Sequence, residues 1–309
     1  MRAVFMGTPA FAVPSLRALV GSGVEVPLVL TRPDAVRSRG KRLEPSPVKE
    51  AAQELGLPVV EANRIEPDVL ECLRAAEADV FCVAAYGCIL PSEVLDMAPL
   101  GCVNVHASLL PRWRGAAPIQ RSILAGDKET GVSIMRIGEG VDTGAYCAQA
   151  ATPVADKSAD ELTGELAEMG ARLLVEVLPA LAAGDIEWTE QDEALVTHAA
   201  KISKAELRLD PADGVMANVR RVLASGDAAP ARCEVLGRAA RITVARAAHG
   251  AGRTPGQGEL LVEGGRVYLG CSDGALELVS VKPDGKREMD AAAWAAGARV
   301  QAGTWGALA

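Results

Sequence analysis

The run Val80-Phe81-Cys82-Val83-Ala84-Ala85 constrains the fold of this 309-residue chain more than any other stretch. It is apolar without a break. A surface helix would show polar residues at helical spacing, and a strand with one wet face would alternate. An unbroken apolar strand fits a sheet covered on both faces, which is typically a parallel sheet clothed by helices. The amino end agrees. Residues 2–6 read as a short buried strand. A helix is expected from about Ala12 to Val20, with Val13, Leu16, Leu19 and Val20 on one stripe, and Val24 to Leu30 is the next strand. Such a β-α-β opening favours parallel strands joined by right-handed crossovers. Gly7-Thr8-Pro9-Ala10-Phe11 is not the three-glycine dinucleotide fingerprint, so no nicotinamide or flavin cofactor is inferred.

The pattern continues with helices expected at 48–55, 66–76 and 92–97, the last capped by Ser92, and a short strand at Val59-Val60. Thr31 to Pro47 reads as a long loop holding Arg32, Arg37, Arg39, Lys41 and Arg42 against Asp34 and Glu44. It is either a solvated charged loop or a grip on a polyanion. Cys102 to His106 is another strand. Residues two apart on a strand share a face, so Asn104 and His106 point one way and Val103 and Val105 the other. The prolines, arginines and Gly-Ala-Ala run of residues 107–118 form a shaped loop. A helix at Pro118–Ala125 and a strand at 130–137 follow, then a glycine-rich turn at 138–144 carrying Asp142, and an extended stretch at 146–152. Ser158 and Glu161 make a capping box that opens the clearest helix, with Leu162, Leu166, Met169 and Leu173 on its core stripe.

Residues 185–210 are mixed and polar and read as a linker. A helix is expected from Asp213 to Ala224. From about 230 short alternating runs separated by glycine-containing turns suggest a small β-barrel or sandwich. The expected division is therefore 1–203, including the linker from about 185, and 204–309.

No signal peptide and no apolar run near the roughly 20 residues of a membrane span are read here, so a soluble, cytoplasmic protein without membrane contact is expected. The seven cysteines are odd in number, lack a C-x-x-C pair and often sit in apolar contexts, which suggests buried free thiols. With only three scattered histidines, no metal site is expected. The net charge of −8 is uneven. Residues 1–200 hold 17 basic and 28 acidic residues, or −11, and residues 201–309 hold 15 and 12, or +3. A basic segment on an acidic protein is a weak nucleic-acid footprint.

Asn104, His106 and Asp142 form the candidate catalytic constellation. A carbonyl under attack develops negative charge on oxygen. A carboxamide and an imidazole can both donate to it, and losing one such donor costs about 3–4 kcal/mol of barrier. A carboxylate can orient the imidazole or take a proton from an attacking amine. No serine or cysteine stands in a nucleophile elbow, which favours direct transfer to an external nucleophile over an acyl-enzyme. Residue types alone leave simpler roles open: a histidine at a strand end is often structural, and an aspartate among glycines is a common turn former.

Asn104-Val105-His106 with Ser108-Leu109-Leu110-Pro111-Arg112-Trp113-Arg114-Gly115-Ala116-Ala117-Pro118-Ile119-Gln120, then Gly131-Val132-Ser133-Ile134-Met135 and Val141-Asp142-Thr143-Gly144, resembles the signature of the folate-dependent formyltransferases. Within that superfamily it is most similar to the branch acting on methionyl-tRNA. The resemblance extends to residues 7–16, Arg39-Gly40-Lys41, residues 45–49, residues 85–91, Lys201-Ile202-Ser203-Lys204 and residues 285–289. It implies an α/β fold: a Rossmann-like formyltransferase domain with a mostly parallel sheet, followed by a small OB-fold-like β-barrel domain. It implies 10-formyltetrahydrofolate as donor, methionyl initiator tRNA as acceptor, tetrahydrofolate as product, no metal, and a monomer. By position, Asn104, His106 and Asp142 match the catalytic trio. Ser108, Leu109, Leu110 and Pro111, with Tyr86 and Ile89, match the folate-contacting residues, and Arg39, Lys41 and Arg42 match the loop against tRNA. A sugar-nucleotide N-formyltransferase and a 10-formyltetrahydrofolate hydrolase are the alternative readings.

Overall fold

The computed structural model describes residues 1–36, 43–249 and 253–308. Its first part runs β1 (Arg2–Gly7), α1 (Val13–Gly21), β2 (Glu25–Thr31), α2 (Pro47–Glu54), β3 (Val59–Glu61), α3 (Pro67–Ala75), β4 (Val80–Ala84), α4 (Ser92–Leu95), β5 (Cys102–His106), the short β6 (Arg114–Gly115), α5 (Pro118–Ala125), β7 (Glu129–Arg136), β8 (Tyr146–Pro153), α6 (Ala159–Ala183) and the short β9 (His198–Ala199). Seven of these strands form one sheet in the order β3-β2-β1-β4-β5-β7-β8. The first five are parallel, and β7 and β8 join antiparallel. The mostly parallel α/β sheet expected from the apolar runs is therefore present.

From β1 the chain winds outward to β3 and then returns to place β4 on β1's other side. The strand order reverses there, and open parallel sheets hold ligands outside the carboxyl ends of strands at such a switch. The two loops at the switch are stitched together: the Thr8 hydroxyl donates to the Tyr86 carbonyl at 2.9 Å. At the start of the second loop Ala85 takes a left-handed backbone, φ 47°.

All of β4 is buried, as its unbroken apolar run requires. One face of the sheet packs Val4, Leu30, Phe81 and Cys102 against Val69 and Leu73 of α3 and Val94 of α4. On the other face α6 approaches β5 closely, because it presents Gly170: a Cβ there would lie 2.4 Å from Val105 Cγ1. Gly170→Ala should destabilise the protein by about 1–3 kcal/mol through overpacking, seen as a lower unfolding midpoint in urea or heat. An unchanged midpoint would mean that α6 slides without cost. The capping box before α6 is formed on both sides: Ser158 N donates to Glu161 Oε2 at 2.8 Å, and Glu161 N to Ser158 Oγ at 3.2 Å.

The chain divides by contacts into two units, Met1–Pro118 with Glu129–Pro153 and Thr163–Ala199, and Ile119–Lys128 with Val154–Leu162 and Ala200–Ala309. The second unit contains α7 (Val215–Leu223), β10 (Arg232–Val235), β11 (Arg238–Ala247), β12 (Glu259–Glu263), β13 (Arg266–Cys271), β14 (Gly274–Pro283), β15 (Met289–Asp290), α8 (Ala291–Ala298) and β16 (Ala302–Gly306). Its strands follow the order β11-β10-β16-β12-β13-β14, and β14 pairs back onto β11 to close a barrel. An OB fold has five strands; β16, slotted between β10 and β12, makes a sixth here. Trp305 fixes that strand by donating from Nε1 to the Gly270 carbonyl at 2.9 Å. Before the barrel, the Ser203 N–H and the Arg121 guanidinium hold the Glu206 carboxyl down at about 2. It stays ionised at physiological pH and keeps the Lys201–Lys204 segment tied to α5, whose Arg121 also donates to the Ala200 carbonyl at 2.9 Å.

Two local expectations are corrected. Pro91, not Ser92, is the N-cap of α4, and Ser92 is the first helical residue with no capping bond; the extended backbone that proline favours sets the boundary one residue earlier. Residues 189–199 are not a free linker. Thr189 pairs with Tyr146, and β9 pairs with β6. The stretch lacks hydrophobic period because its polar groups bind loop backbone. Four cysteines, Cys82, Cys102, Cys233 and Cys271, are buried and free. Burial pushes the thiols of Cys82, Cys102 and Cys233 up to about 12, so they pack as small apolar side chains. No helix among the described residues is long and apolar enough to cross a membrane.

Candidate active site

The site grows from the carboxyl end of β5. In the β5–β7 ladder Asn104 lies opposite Met135 and His106 opposite Ser133, and in the β7–β8 ladder Ser133 lies opposite Gln149. Cross-strand partners share a face. Asn104, His106, Ser133 and Gln149 therefore occupy one face near the strand ends, while Val105 faces α6.

Asp142 enters from the turn after β7. Its Oδ2 lies 3.6 Å from His106 Nδ1 and accepts from the Gly115 N–H at 2.9 Å. On the other side of the ring, His106 Nε2 is 3.0 Å from the Trp113 carbonyl. A carbonyl only accepts, so Nε2 carries a proton. Nδ1 is then the nitrogen facing Asp142. At 3.6 Å this pair is not a closed hydrogen bond, so Nδ1 can also address a ligand. The His106 side chain is 6% exposed and that of Asp142 19%. Asn104 is half-buried, and its carboxamide makes no hydrogen bond among the described residues.

Two non-glycine residues with left-handed backbone flank the histidine: Trp113, φ 64°, and Asp142, φ 52°. Such conformations persist only where the surroundings hold them. The 189–199 stretch does so for both. Trp113 N donates to Thr197 Oγ1 at 2.9 Å, and Gln191 Nε2 donates to the carbonyls of Asp142 at 2.9 Å and Gly144 at 2.7 Å. The Arg114 side chain, 5% exposed, donates from Nε to Gln191 Oε1 at 2.8 Å and from Nη2 to Glu193 Oε1 at 2.8 Å. Arg114 is thus a structural clamp within the shaped loop of residues 107–118.

Ser108, Leu109, Leu110 and Pro111 form the next wall, with a cis peptide between Leu110 and Pro111. Ser133 Oγ donates to the Ser108 carbonyl at 2.7 Å and accepts from Leu110 N at 3.1 Å and Gln149 Nε2 at 2.9 Å. Gln149 also donates to the Leu110 carbonyl at 2.9 Å. Ser108 and Leu110 are buried, whereas Leu109 and Pro111 are half-exposed. Tyr86 is placed in the core: its hydroxyl donates to the Ala62 carbonyl at 3.2 Å, and burial pushes it up to about 12. Ile89, three residues on, is 85% exposed. Arg39, Lys41 and Arg42 lie outside the described residues; the flanks of their loop meet in a bridge between Ala35 and Glu44.

The formyl transferase family model matches residues 1–178, and that of the formyl transferase C-terminal domain matches residues 201–299. The methionyl-tRNA formyltransferase of Halorhodospira halophila is 45% identical over 303 residues, covering 98% of each chain. The chain belongs to the methionyl-tRNA formyltransferase family. The Neisseria meningitidis serogroup C relative of the same name is 42% identical over 309 residues, covering 98% of this chain and 99% of its own. Among solved structures, HypX from Aquifex aeolicus in complex with tetrahydrofolic acid superposes with a TM-score of 0.65 at 19% identity, over 96% of this chain and 47% of its own. The sugar 3N-formyl transferase WlaRD gives 0.67 at 14% identity, over 93% and 99%. At these identities the likeness is one of fold.

For a member of the methionyl-tRNA formyltransferase family, the trio that sequence pointed to arrives in two parts. His106 and Asp142 come together, and Asn104 stands beside them on the same strand face without bonding to either. The supporting residues Gln191, Thr197, Ser133 and Gln149 had no signal in the sequence, since each binds main-chain groups of a loop remote in the chain, and Glu193, which pairs with the Arg114 side chain, had none either.

Proposed function

We propose that this chain transfers the formyl group of 10-formyltetrahydrofolate to the α-amine of methionyl initiator tRNA, by direct attack and without an acyl-enzyme. The observation that carries the reading is the His106 imidazole, fixed by the Trp113 carbonyl on Nε2 and open toward Asp142 on Nδ1. The neutral amine attacks the formyl carbon. A C–N bond forms as the carbonyl π pair moves onto oxygen, where the Asn104 N–H and the His106 Nδ1–H donate to the growing charge. Asp142 sets the protonation of Nδ1, and the two groups together, as one acid–base pair, take up the amine proton. Collapse of the tetrahedral adduct breaks the bond to N10 of the folate, which receives a proton and leaves as tetrahydrofolate.

In this reading Ser108, Leu109, Leu110 and Pro111 form the folate wall, joined by Ile89 and the backbone around Tyr86. Residues 1–203 carry the chemistry. Residues 204–309, with Arg39, Lys41 and Arg42, engage tRNA phosphates. The full-length relatives at 42–46% identity support the tRNA acceptor over a sugar nucleotide.

Incubating the protein with 10-formyltetrahydrofolate and either methionyl-tRNA or an amino-sugar nucleotide should yield formyl-methionyl-tRNA only. Formylation of the sugar alone, or formate release with neither acceptor used, would overturn the reading in favour of a sugar formyltransferase or a folate hydrolase.

A further inference from the structure

Gln191 lies in a polar stretch beyond α6, and its carboxamide is occupied at every point that matters. Its two Nε2 protons go to the carbonyls of Asp142 and Gly144 at 2.9 and 2.7 Å, and its Oε1 accepts from Arg114 Nε at 2.8 Å. A flipped amide would set oxygen against two carbonyls and an NH2 against a guanidinium, so only one orientation is satisfied. The residue is buried, with 9% exposure.

We infer that Gln191 is a positioning residue that fixes the Asp142 carboxylate against His106; the inference rests on the reading that Asp142 acts in the transfer. The turn it holds is one that would not stay in place unaided. Asp142 has a left-handed backbone, φ 52°, and Gly144 runs so close to β7 that a Cβ would lie 1.9 Å from the Arg136 carbonyl. The turn is gripped twice by one short segment. The Gly115 N–H holds the Asp142 carboxylate directly at 2.9 Å, and its neighbour Arg114 holds the Asp142 carbonyl through Gln191. Gln191 therefore links the backbone of Asp142 to the strand pair β6–β9, on which its carboxylate also rests. The walls at residues 108–111 are tied separately, through Ser133 and Gln149. Loss of Gln191 should loosen the carboxylate and leave the folate wall intact.

The test is kinetic. Gln191→Ala should lower kcat by about 30- to 100-fold, in line with a displacement of about an ångström at a reacting group, with KM for each substrate within about threefold. Gln191→Glu keeps the shape. Ionised, its carboxylate faces two carbonyl oxygens; protonated, it donates to one of them. Its kcat relative to the native enzyme should therefore rise as pH falls, a dependence that a purely structural role would not produce. Combining Gln191→Ala with Asp142→Asn should add little to the loss from Asp142→Asn alone.

Native kcat in Gln191→Ala, or a pH-independent ratio in Gln191→Glu, would overturn the inference while leaving the site reading standing. Should Gln191→Ala fail to fold, the Gln191→Glu ratio decides. Near-native turnover in Asp142→Asn would overturn the site reading instead.

Discussion

Asp142→Asn should lower kcat by about 100-fold or more, with affinity for either substrate changed by no more than a few fold. Asparagine has the same shape, and its Oδ1 can still accept from the Gly115 N–H that holds Asp142 Oδ2 at 2.9 Å. The same oxygen faces His106 Nδ1 at 3.6 Å in the native protein, so the carboxamide oxygen takes that place and brings no negative charge to it. Without that charge nothing supports a second proton on the ring at Nδ1. Nε2 already carries its proton for the Trp113 carbonyl. The imidazole is thereby held in the tautomer that offers no proton to the site, and the reaction loses both a base and an oxyanion donor. Single-turnover rates with 10-formyltetrahydrofolate and methionyl-tRNA measure the effect, and an unfolding midpoint near the native one separates it from misfolding. Near-normal turnover would reject the role of Asp142.

How much of this was legible in the sequence depends on the range of the interaction concerned. The sheet and its helices were legible because each depends on near neighbours: the apolar run of β4, the stripe of α1, and the Ser158–Glu161 box that forms both of its bonds. The shared face of Asn104 and His106 followed from the period of a strand. The meeting of His106 with Asp142 did not, because it depends on β7 returning antiparallel beside β5; only the family signature pointed to it. Gln191 and Thr197 were illegible for a further reason. The bonds by which they hold Asp142, Gly144 and Trp113 go to main-chain carbonyls and N–H groups, which every residue has, so no residue pattern records them. The polar composition that suggested a linker at 185–210 is the same composition that lets its 189–199 part hold Trp113 and Asp142 in left-handed backbone.

His106→Ala should also reduce kcat by about 100-fold or more, and the way it combines with other changes is the sharper measurement. If Asp142 works through the imidazole, its contribution vanishes once the ring is gone. The double variant His106→Ala with Asp142→Asn should then be no more than a few fold slower than His106→Ala, whereas independent roles would multiply the two losses to about 10,000-fold. Asn104 offers the contrast. Its carboxamide bonds to neither residue among the described ones, so Asn104→Ala removes a separate donor and its loss should multiply with that of Asp142→Asn. Kinetic cycles on the two pairs therefore distinguish one coupled acid–base unit with a separate oxyanion donor from three independent groups. Multiplicative losses in the His106–Asp142 cycle would break the pair, and the 3.6 Å approach of Nδ1 to Asp142 would then be a contact without catalytic consequence.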